Sequence, residues 1–115
     1  MATMKTYLYA IAEIHLFPEA ALRARLPLDY TVCTPVKFQT HPDDFYSLWI
    51  VPDQPLVPCR QGRAKVALLF EELASRLLFP KERFTIWFGD KISGDGEIIR
   101  VYQCDLQFYE ATFHF

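Results

Sequence analysis

Apolar and polar residues alternate without a break from Thr6 to Phe17. Leu8, Ala10, Ala12, Ile14 and Leu16 fall on one side; Tyr7, Tyr9, Ile11, Glu13 and His15 fall on the other. A period of two sustained this long predicts a strand with one face in a core. Pro18 suits the first position of a helix and Glu19 its first turn, so EAALRARL reads as a short helix stopped by Pro27. Tyr30–Thr40 is β-branched and aromatic. Pro35 inside it predicts an edge or broken strand, because proline donates nothing to a ladder. Phe45–Val51 (FYSLWIV) reads as a further strand, and PDQPLVPCRQG after it as an extended loop.

Between Arg63 and Phe79 the period changes. Val66, Leu69, Phe70, Leu73, Ala74 and Leu77 recur at helical spacing, which predicts a long helix ended by Pro80. Arg83–Phe88 and Glu97–Leu106 then read as strands on either side of GDKISGDGE, with Asp95-Gly96 as the tight turn between them. The last eight residues, FYEATFHF, are again strand-like. Their apolar positions switch from even to odd numbers, which predicts a bulge, bend or turn near Gln107–Tyr109. The order β-α-β-β-α-β-β-β predicts an α+β fold: a two-layer sandwich, with a mostly antiparallel sheet carrying two helices on one face and a C-terminal β-hairpin. One domain spans residues 1–115. A second methionine, Met4, makes residues 1–4 read as disordered or as an addition ahead of the native start.

Composition narrows the function classes. With 51% hydrophobic and 23% charged residues the chain is globular. A formal charge of −2 argues against general nucleic-acid binding, which draws its affinity from neutralised phosphates. Arg60, Arg63, Lys65 and Arg83 are the residues that would carry such binding. Cys33, Cys59 and Cys104 are odd in number, far apart and without a CxxC pair, which speaks against a disulfide framework and a structural zinc site. No apolar run is long enough for a membrane-spanning helix. The expected setting is the cytoplasm, without membrane contact, metal or cofactor.

GDKISGDGE lacks the ligand spacing of a calcium loop, since Ile92 and Gly94 occupy positions that need oxygens. The chain also carries no dinucleotide-binding glycine pattern, phosphate-loop lysine, nucleophile elbow or zinc-protease helix. Weight therefore moves to a protein that acts by contact, an inhibitor, immunity or adaptor module that masks a partner's surface. Aromatic residues make up 16% of the chain, more than one core readily holds, and rings are enriched at protein contacts. The expected contact residues are Tyr7, Tyr9 and Trp49, the P-x-x-P-x-R residues Pro55, Pro58 and Arg60, and Phe113 and Phe115 of a terminal strand whose edge could pair with a second copy. The alternative is a small-ligand binder or small enzyme with an aromatic-lined pocket, for which Glu13, His15, His41 and Asp44 would be the polar groups.

Overall fold

The computed structural model describes residues 5–113. The readings made for residues 1–4, for His114 and for Phe115 lie outside the described residues. The architecture is a closed antiparallel barrel, not an α+β sandwich. Its strands are β1 (Tyr7–Leu16), β2 (Val32–Phe38), β3 (His41–Pro52), β4 (Gln61–Leu68), β5 (Arg83–Phe88) and β6 (Lys91–Cys104), arranged around the ring as β1-β4-β3-β2-β5-β6. The helices are short: a 3₁₀ turn at Pro18–Leu22, another at Glu71–Leu73 running into α1 (Ala74–Leu77), and α2 (Leu106–Phe113). No helix among the described residues is long and apolar enough to cross a membrane.

Closure explains why alternation dominates the sequence, since every strand of a small barrel turns one face inward. Ala10, Ala12, Ile14 and Leu16 meet Val36, Phe38, Leu48, Ile50, Ala64, Val66, Leu68, Phe84, Ile86 and Ile98 in one buried cluster. The long helix expected over Arg63–Phe79 does not form as one element: its first part, up to Leu68, belongs to β4. Ala64, Val66 and Leu68 point inward, and Ala67 is buried on the outer side, so the run VAL is apolar on both faces for a strand's reason. Only Glu71–Leu77 of that span is helical, and it helps close one end of the barrel with Ala74 and Leu77.

The β5–β6 hairpin turns at Gly89-Asp90, where Gly89 takes φ +65°, the conformation a two-residue hairpin needs at its first position. Asp95-Gly96 lies inside β6, a single long strand. The expected terminal strand is the helix α2. Asp105 caps it, its Oδ1 accepting the Phe108 N–H at 2.8 Å, and Tyr109 and Phe113 fall one turn apart on the buried side. The even-to-odd switch in the sequence was therefore a change of period from strand to helix. It was not a bulge in one strand, and no C-terminal hairpin forms among the described residues.

Pro35 sits within β2, which has neighbours on both sides. The β2–β5 ladder starts only at Val36, and the Thr34 hydroxyl donates to the Trp87 carbonyl at 2.6 Å just ahead of it. The proline thus lies in the part of β2 that pairs with β3 alone, in keeping with its missing donor.

Candidate interaction surface

The barrel's outer wall divides into a covered part and open parts. Helix α2 covers the wall of β1, β3 and β4. Tyr109 is 3% and Phe113 0% exposed, packed with Ala67 and against Tyr7, Tyr9, Trp49, Val51 and Cys104. Tyr7 stacks on Tyr109 at 4.9 Å, and the Tyr109 hydroxyl donates to the Leu68 carbonyl at 3.1 Å. Tyr7, Tyr9, Trp49 and Phe113, four of the rings expected to meet a partner, here form a second core with the chain's own helix. Since residues 106–113 are helical, they offer no strand edge for pairing.

The proline loop is also engaged. Leu56 is buried and exchanges both backbone hydrogen bonds with Leu28, while Pro58 bridges to Leu16. Pro55, Cys59 and Arg60 remain exposed, but the segment is fixed to the barrel end. It does not stand out as a free extended helix. Cys33 and Cys104 are free thiols whose ionisation burial pushes upward. Of the four basic residues singled out above, Lys65 pairs with Asp53 and Arg83 with Glu97, both at 3.1 Å.

The alternative polar set splits in two. Glu13 and His15 sit on the outer wall of β1, and register places Glu97 and Asp95 of β6 beside them. With Gln61 and Arg83 they line a groove of about 170 Å³. His41 and Asp44 open β3 at the other end of the barrel, where the His41 ring meets Tyr46 edge-on and shares a hydrogen bond with the Thr40 hydroxyl. The two pairs do not converge. No group of three or more His, Cys, Asp or Glu side chains among the described residues is placed to hold a metal.

What sequence reasoning missed lies on the open wall of β2, β3 and β5. Phe45 is 53% exposed and meets Trp87 edge-to-face at 5.1 Å. The Lys37 ammonium lies 4.5 Å from the Phe45 ring centre and 5.3 Å from that of Trp87. The Trp87 indole N–H donates to the Thr85 hydroxyl at 3.0 Å, fixing the ring plane. Pro35, Ser47, Gly89 and Asp90 complete a groove of about 620 Å³. The signal for Trp87 was present: in RFTIWF, Phe84, Ile86 and Phe88 point inward, leaving Arg83, Thr85 and Trp87 outside. Phe45 carried a weaker one, as an apolar residue straight after HPDD.

No protein-family model matches the chain, and no curated protein sequence matches it significantly.

Proposed function

We propose that this barrel is a cytoplasmic protein-interaction module whose primary contact is the Phe45–Trp87–Lys37 face. The observation that carries this reading is the half-exposed Phe45 ring, held against Trp87 and Lys37 on a wall that the described residues leave uncovered. Binding energy at protein contacts concentrates in a few aromatic and cationic anchors. Rings already fixed by neighbours lose little freedom on association, so more of their buried area reaches the binding free energy. Lys37 serves twice, filling the space between the rings and giving the patch a positive charge for a partner's acceptors.

The test is site-specific photo-cross-linking in the native host, with the reactive side chain at position 45 and, as a control, at the 81%-exposed Leu22. Position 45 should capture a defined protein partner that position 22 does not. Trp87→Ala should abolish that capture, and Phe45→Ala or Trp87→Ala should weaken the purified complex by about 2 kcal/mol, roughly 30-fold. Equal labelling at both positions, or capture indifferent to Trp87→Ala, would refute the proposal.

A further inference from the structure

On the far side of the ring, three strands from β2, β1 carries Ile11 outward between Arg100 of β6 and Lys65 of β4. Ile11, Arg63, Ile99, Arg100 and Tyr102 line a separate groove of about 260 Å³. The β1–β6 register jumps here: Ile11 faces Arg100 and Ala12 faces Ile98, so Ile99 is the extra residue of a bulge. Bulges re-aim side chains, and this one brings Ile99 and Arg100, adjacent in sequence, to the same groove. Neither Arg63 nor Arg100 has an ion-pair partner among the described residues, although Glu13 is the cross-strand neighbour of Arg63. Lys65, by contrast, is held by Asp53. The result is an apolar floor flanked by two guanidiniums that no ion pair holds among the described residues, with the Glu13 carboxylate beside Arg63.

We propose that this groove docks an acidic amphipathic helix of a partner protein, one carboxylate to each guanidinium and an apolar side chain on Ile11. The dimensions agree. From β4 across β1 to β6 is two strand spacings, about 10 Å, and Arg63 lies level with Glu13 while Arg100 lies level with Ile11, so the diagonal between them is about 12 Å, within reach of two long side chains. One heptad of α-helix rises about 10 Å, so acidic residues seven apart reach both arginines while a residue midway faces the floor. Guanidinium forks bind carboxylates with two parallel hydrogen bonds, which favours this partner over a merely apolar one. Because the groove lies opposite the Phe45–Trp87 face, both can be occupied together, and the barrel can join two proteins.

The test is chemical-shift mapping of the ¹⁵N-labelled full chain with a short helical peptide that has two glutamates a heptad apart and leucines between them. Saturable shifts are expected at Ile11, Arg63, Ile99, Arg100 and Tyr102. The double variant Arg63→Gln/Arg100→Gln should lose at least about fivefold in affinity, a loss that added salt reproduces in the unmodified protein. Arg100→Gln alone, at an exposed position, should show part of the effect. Phe45→Ala should leave the titration unchanged, which separates this site from the proposed contact on the opposite wall. Four outcomes would overturn the proposal: equal binding of a peptide with lysines in place of the glutamates, tighter binding of a single-stranded oligonucleotide, the same shifts produced by a second unlabelled copy of the chain, or no saturable shifts at all.

Discussion

A methyl group on Gly96 would sit 2.3 Å from the Phe84 ring, which is itself buried at 2% exposure. Ring and strand would have to shift apart to admit it. Gly96→Ala should therefore cost about 1–3 kcal/mol by overpacking, read as a fall in Tm of several degrees on thermal unfolding. Glu82 makes the complementary case for a polar residue. Buried at 2% exposure, its Oε1 accepts the Arg83 N–H at 2.8 Å, while Oε2 accepts the Thr40 N–H at 3.3 Å and the Thr40 hydroxyl. Both oxygens face N–H donors, so an amide must turn its NH₂ against one of them. Glu82→Gln should lose about 1–3 kcal/mol in denaturant unfolding despite its matching size. These roles were hard to read from sequence. Asp95-Gly96 is a turn signal by local chemistry, but the same glycine is required wherever an aromatic ring lies flat on a strand. Which applies depends on Phe84, a neighbour from another strand.

Among the elements, α2 is the one whose attachment can be titrated. Burial pushes the Tyr109 hydroxyl from an ordinary value of 10.0 up to about 12, with the nearby Glu71 adding in the same direction. The docked helix thus holds the neutral phenol, whereas an undocked or unfolded chain ionises near 10. Its contribution to stability is complete below pH 10 and is lost as pH rises from about 10 to about 12. Near-ultraviolet circular dichroism should show loss of tyrosine packing in that window. Tyr109→Phe should remove this tyrosine's share of the alkaline decline, at a cost of about 1 kcal/mol at neutral pH for the bond to Leu68. The helix itself was legible in retrospect, through Asp105 as cap and the four-residue step from Tyr109 to Phe113. The alternating pattern masked it, since Phe113 and the tyrosine also satisfy a period of two. The span from Arg63 shows the reverse. Val66, Leu69, Phe70, Leu73 and Leu77 fit a helix, yet tertiary covering of both Val66 and Ala67 made the first half a strand.

For the molecule as a whole, the strands expected at residues 6–17, 30–40, 45–51, 83–88 and 97–106 are present, but their pairing was not foreseeable. β1 joins β4 and β6, and β2 joins β5, across long stretches of chain. Nothing local in a strand announces its partner, and closure removes the exposed edges that an open sheet would offer. The ring excess that pointed to binding was partly absorbed in the same way, through an internal helix laid on Tyr7, Tyr9 and Trp49. Phe45 stays exposed beside Trp87, as Phe70, Phe79, Tyr102 and Phe108 do elsewhere, so the two tryptophans have opposite assignments: Trp49 packs under the helix and Trp87 is the proposed contact. The most direct test is ¹⁹F NMR of the protein labelled with fluorotryptophan, with the captured host partner added. The Trp87 resonance should shift and broaden while that of Trp49 stays in place. A response at Trp49 with Trp87 unmoved would contradict this assignment.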